Sequence, residues 1–229
     1  MTAAPIHLAG ERLMLDPMGG LFWPEQRLLA VSDLHLEKGS SFARRGMLLP
    51  PWDTHATLDR LTLLLRRWSP LTVVALGDSF HDAAASRRLP VTERQRLKGM
   101  AQAHRFVWVL GNHDPSPPDG LGGDSVATFS AGPMVFRHEG IGVAVPGEVV
   151  GHHHPKATIQ ARTGAVSRPC FVFDGRRLMM PAFGAYTGGL NVLDPAINRL
   201  FPRGGRVFLL GKDRLFSFEI GRGAALRTA

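Results

Sequence analysis

The 229 residues include one cysteine, one tyrosine and four lysines. Cys170, being alone, excludes an internal disulfide framework and a thiolate metal cage; a reducing cytoplasm is the expected compartment. No apolar run approaches the ~18 residues a membrane span needs. The opening Met1–Gly10 has no basic stretch followed by an apolar one, so no secretory signal is expected. Neither a repeat of solenoid length nor a low-complexity segment interrupts the chain, and residues 1–229 read as a single domain.

With lysine scarce, arginine supplies 23 of the 27 basic residues (27 − 4), and the formal charge is +8. A basic surface favours polyanions such as nucleic acid. A chain-wide arginine bias explains the same excess, because Arg44-Arg45, Arg66-Arg67, Arg87-Arg88 and Arg176-Arg177 are scattered.

Three apolar runs end in polar turns. Leu28–Val31 leads to Ser32-Asp33-Leu34-His35, Leu71–Leu76 to Gly77-Asp78, and Arg105–Leu110 to Gly111-Asn112-His113-Asp114, where the glycine lets the backbone bend. Strand ends are where open α/β sheets bind ligands. Between the runs, Leu58, Leu61, Leu65 and Trp68 have helical spacing, with Asp53 or Thr54 as the cap and Pro70 as the stop. Thr92 with Gln95 has capping-box form and opens a second helix. The polar stretch 37–46 reads as a loop. This alternation predicts a largely parallel sheet.

Beyond residue 115 the pattern changes to short β-like runs: Met134–Arg137, Ile141–Val145, Glu148–Val150, Cys170–Phe173, Arg177–Met180, Val207–Leu210 and Leu215–Phe218. Asp174-Gly175 is a hairpin signal. Tyr186 sits in a Gly-rich loop, where it either stacks on a base or closes the core. Two sheets packed face to face, with helices outside, would use both halves.

Asp33, His35, Asp78, Asn112, His138, His152 and His154 are all oxygen or nitrogen donors. Such a set suits Mn, Fe, Co or Zn better than Mg. Seven donors are too many for one tetrahedral ion and fit two ions that share a bridge. Asp33-x-His35 and His152-x-His154 would each put two side chains on one face of an extended segment. Paired metals of this kind clamp the oxygens of an in-line displacement.

These blocks, in this order, resemble the calcineurin-like metallophosphoesterase superfamily. Asp33–Phe42, Gly77–Asp82, Gly151–Lys156 and Pro181–Asn191 further resemble the bacterial ligase-associated DNA-damage-response endonucleases within it. The resemblance implies an α/β fold, a four-layer αββα sandwich of two mixed sheets flanked by helices. It implies that one metal, with Mn2+ the first choice, takes Asp33, His35, Asp78 and His154. The second takes Asp78, Asn112, His138 and His152. His113 would hold the scissile phosphate and protonate the leaving oxygen, with Asp114 orienting it. His81 stands where many relatives carry Asn or Asp; it and Asp82 would lie behind the ligands, or His81 is a hydrogen-bonded loop residue. Lys38, Arg44 and Arg45 could grip phosphates or belong to a solvated loop.

The expected activity is hydrolysis of phosphodiester bonds in DNA during repair, beside a ligase and a helicase and away from membranes. Two alternatives are a phosphatase or phosphodiesterase acting on small nucleotides, and a non-catalytic protein-binding scaffold of the same fold.

Overall fold

A computed structural model of the chain describes residues 1–161, 164–221 and 226–228. The elements of the first half are β1 (Ala4–Leu8), β2 (Glu11–Leu15), β3 (Leu21–Trp23), β4 (Leu28–Ser32), α1 (Lys38–Ala43), α2 (Asp53–Trp68), β5 (Thr72–Leu76), α3 (Ala85–Arg88), α4 (Val91–Ala103), β6 (Arg105–Val109) and β7 (Asp124–Val126). Its seven strands form one sheet in sequence order. The β1–β4 pairings are antiparallel, and β4 to β7 run parallel.

The second half contributes β8 (Thr128–Ala131), β9 (Met134–Arg137), β10 (Glu148–Val150), β11 (Lys156–Ala161), β12 (Gly164–Phe173), β13 (Arg177–Met179), α5 (Pro195–Asn198), β14 (Gly205–Leu210), β15 (Leu215–Ile220) and β16 (Leu226–Thr228). They build a second mixed sheet in the order β16-β15-β14-β12-β13-β10-β9-β8, with β11 paired to β12.

The apolar runs of β4, β5 and β6 are continuous because both of their faces are covered. Ala30, Val74, Leu76, Val107 and Val109 point inward against Phe136, Val149, Phe171, Leu178 and Met180 of the second sheet. Leu29, Val31, Val73, Ala75 and Phe106 point outward onto Leu58, Leu61, Leu64 and Leu97 of α2 and α4. The outer face of the second sheet is covered more thinly. Ile197 of the one-turn α5, with Val192, Leu200 and Phe201, packs there on Cys170, Val172 and Val207. The layers are therefore helix, sheet, sheet, and a fourth made mostly of irregular chain.

Several local expectations are corrected. Residues 38–43 form α1 and are not loop, with Gly39 and Ser41 buried beneath it. Asp53 and Thr54 do not cap α2, whose cap is Trp52. They turn back to the start of α1 instead: Gly39 N donates to Asp53 Oδ2 at 3.1 Å, and Glu37 N to Thr54 Oγ1 at 2.8 Å. Thr92 lies inside α4, which is capped by Pro90 with no side-chain bond. Ile141–Val145 form no strand; Ile141 and Val143 are exposed because that loop crosses the surface. Tyr186 is 44% exposed, at φ 61°, and does not close the core.

Candidate metal centre

The parallel strands β4, β5 and β6 stop side by side, so the turns after them meet. Glycine makes the approach close enough. A Cβ on Gly77 would lie 2.0 Å from His138 Nδ1, and one on Gly111 would lie 2.2 Å from Asp78 Oδ1. Gly111 is thus needed for contact and not for a bend, since its φ is not positive.

The donors form three groups, each with its ligand atoms within 4.8 Å of one another: Asp33, His35 and His154; Asp78, His138 and His152; His35, His81 and His113. Asn112 joins the second group, its Oδ1 2.9 Å from His138 Nε2. Asp33, His35, Asp78, His152 and His154 all have positive φ, between 41° and 69°. The alternate-residue expectation for Asp33-x-His35 and His152-x-His154 is therefore wrong in its cause. Left-handed turns bring these side chains together, not an extended segment. Such backbone costs about 1–3 kcal/mol per residue and persists where the surroundings impose it.

Imidazoles crowd here in an unusual way. His35 Nε2 is 3.2 Å from His154 Nε2, and His138 Nε2 is 3.1 Å from His152 Nδ1. Burial pushes His35 down to about 3, and the charges of His154 and His113 add to this against Asp33 and Asp78. Burial and then the His138 charge lower His152 as well. For Asp78 burial acts upward, but the His138 hydrogen bond and charge outweigh it and hold the carboxyl at about 2. Asp33 is likewise lowered: burial acts upward, but the His154 hydrogen bond and charge, with the His138 charge and the Ser32 hydrogen bond, together overcome it. His138 is raised: burial acts downward, but Asp78 and Asp33 overcome it. Lowered carboxyls beside the lowered imidazoles of His35 and His152 are in the deprotonated form that divalent metals bind. Among the described residues, His138 Nδ1 is buried with no hydrogen-bond partner. The residues present fit a pair of N/O-ligated cations.

His113 lies at the edge, its side chain 40% exposed and its Nε2 4.0 Å from Asp78 Oδ2. Its Nδ1 is 2.8 Å from the His81 carbonyl oxygen. A carbonyl only accepts, so Nδ1 carries hydrogen and Nε2 faces the cleft. Asp114 does not orient His113, contrary to expectation. Its carboxylate accepts from Gly111 N at 3.0 Å and Phe80 N at 3.1 Å, tying two ligand turns together. Burial, and then the Asp78 charge, raise it to about 6.

His81 stacks on His113, with centroids 5.4 Å apart, and its Nδ1 is 3.4 Å from His35 Nδ1. Asp82 turns away from the donors to Arg88, at 2.6 Å.

An open cleft of roughly 580 Å³ lies over these groups, lined by His35, His81, His113 and His152–His154. Lys38 reaches it, with Nζ held by the Tyr186 carbonyl at 2.8 Å. Arg44 and Arg45 are exposed just past α1 and do not line it. Arg199 does, and so does Glu139. Neither carried a sequence signal, because both come from irregular chain.

Residues 26–166 match the family model described as calcineurin-like phosphoesterase. No curated protein matches the chain. Among solved structures, the chain is similar to the nuclease MPE of Pseudomonas putida. The two share 28% identity over 94% of this chain and 100% of that one, with a TM-score of 0.74. YfcE, a phosphoesterase from E. coli, matches at 15% identity over 87% of this chain and 95% of that one, with a TM-score of 0.38.

Proposed function

Because the chain belongs to the calcineurin-like phosphoesterase family and is a metal-dependent hydrolase, we propose that it hydrolyses phosphodiester bonds in DNA with two divalent metals. The observation that carries this reading is the pair of donor groups around Asp33 and Asp78, with His113 beside them at the mouth of an open cleft. Asp33, His35, Asp78 and His154 would hold one ion; Asp78, Asn112, His138 and His152 would hold the other. Mn2+ is the first choice of metal, with Fe, Zn and Co as alternatives. When bound, the pair would supply Lewis acidity toward the phosphoryl oxygens.

The remaining work falls to this chain's side chains. His113 Nε2, which has no hydrogen-bond partner among the described residues, would bind a phosphate oxygen and give a proton to the leaving oxygen. The His81 carbonyl on Nδ1 keeps the ring facing the cleft in either protonation state. Lys38, which also lines the cleft, would hold a phosphate there. Nuclease activity is supported by the likeness to the Pseudomonas putida nuclease and by the +8 charge. A cleft open to solvent fits a polymer better than a small nucleotide. DNA damage repair beside a ligase and a helicase, in the cytoplasm, is the setting that suits such an activity.

The test is Mn2+-loaded protein against bis-p-nitrophenyl phosphate, plasmid DNA and single-stranded DNA. Both ester classes should be cleaved, and His113→Ala should lose about 10²–10⁴ of the rate, the usual share of a general acid, while keeping its metal. Stoichiometric metal without cleavage of any diester would favour the scaffold reading.

A further inference from the structure

A second cavity lies beside the catalytic cleft and shares one residue with it. Arg199 lines both. The cavity has a volume of about 100 Å³ and is walled by Val143, Leu200 and Pro202, with Arg176 and Arg203 at its edge. That is well below the ~300 Å³ of a typical small-molecule site, and it suits one flat group extending from a larger ligand.

Both walls are fixed from beneath by one buried side chain. Arg177, fully buried, is paired with Glu148 at 2.5 Å. Its Nη1 donates to the Leu200 carbonyl at 2.9 Å, and its Nη2 to the carbonyls of Ile141 and Gly142 at 3.2 and 3.3 Å. The exposed 141–144 loop is therefore held against the Leu200 wall by a desolvated guanidinium. Val143 stands 86% exposed on that loop.

The rim carries three positive groups and one negative, Asp174. Among the described residues, Arg176, Arg199 and Arg203 form no ion pair. Asp174 also lines the cavity, but its Oδ1 accepts from Arg176 N and Arg177 N at 2.9 and 2.8 Å. Three guanidiniums against the single Asp174 carboxylate leave the slot with an excess of positive charge, which favours an anionic ligand. Guanidinium binds phosphate through two parallel hydrogen bonds, and apolar side chains can cover the face of a base.

We propose that this cavity holds a nucleotide flanking the scissile bond: its base against Val143, Leu200 and Pro202, its phosphates against Arg176, Arg199 and Arg203. The inference rests on the nuclease reading. It makes the bound strand run from the metal centre across Arg199 to the 141–144 loop.

The test compares two substrates in each preparation, bis-p-nitrophenyl phosphate and a fluorescent single-stranded oligonucleotide, with Mn2+ present. In Arg176→Glu/Arg203→Glu the ratio of kcat/KM for oligonucleotide to that for the model diester should fall at least about tenfold, and the salt dependence of oligonucleotide cleavage should flatten. Val143→Asp, a separate change on an exposed position, should lower the same ratio. A ratio unchanged in both variants, with the unaltered protein cutting the oligonucleotide, overturns this site alone. An unaltered protein that cleaves the model diester and no oligonucleotide overturns the nuclease reading along with it.

Discussion

Asp78 sits where the two donor groups meet. Its Oδ2 lies 3.4 Å from His138 Nε2 and 3.8 Å from His35 Nε2, while its Oδ1 accepts from His113 N at 2.9 Å. Asp78→Ala should therefore lower metal content at both positions together. Two ions retained, counted by elemental analysis, would contradict a bridging role. Gly77 offers a sharper test of the packing. Alanine there would meet the His138 ring and take up a left-handed φ of 70°. Overpacking of about 1–3 kcal/mol and the left-handed backbone of about 1–2 kcal/mol should lower the melting temperature measurably and reduce metal affinity. A variant with unaltered melting and metal content would show that the turn has slack the distances deny.

The short helices hold the cleft's rim. α1 carries Lys38 and begins on backbone N–H groups that donate to Asp53 and Thr54, so Asp53→Ala should cost about 1 kcal/mol, the usual worth of a cap, with hydrogen exchange rising in residues 38–43. α3 is tied by Asp82, which the Arg88 hydrogen bonds, ahead of burial acting upward, hold well below the usual carboxylate range. A depressed carboxyl stabilises the fold above its unfolded pKa, near ~3.9, and that stabilisation is lost as pH falls through the folded value. Acid unfolding of Arg88→Ala should accordingly be shallower between neutral pH and the acid limb than that of the unaltered protein. Parallel acid limbs would show that the pair contributes nothing.

Across the whole molecule, the two sheets meet through Ala30, Val74, Leu76, Val107 and Val109 on one side and Phe136, Phe171 and Leu178 on the other. The turns that carry the candidate donors hang from both layers: Asp33, Asp78 and Asn112 follow β4, β5 and β6, while His138, His152 and His154 follow β9 and β10. Leu178→Ala should cost about 2–5 kcal/mol and, by loosening the second sheet, weaken metal binding although it touches no ligand. An isolated fall in melting temperature with metal affinity intact would show that the halves of the site are held independently.

The amino-acid order by itself determined the three apolar strands, the glycines that follow β5 and β6, the oxygen and nitrogen donors at the strand ends and the family the chain belongs to, because strand periodicity and side-chain chemistry are properties of the residues themselves. It could not show that Asp114 serves the backbone of two turns, that Asp53 and Thr54 accept from the start of α1, that Arg199 joins one cleft to the next, or that left-handed turns gather the candidate donors. Each of those depends on which segments, distant in the chain, are pressed together by the inter-sheet core, and hydrogen bonds between such segments exist only once that packing has brought them within about 3 Å.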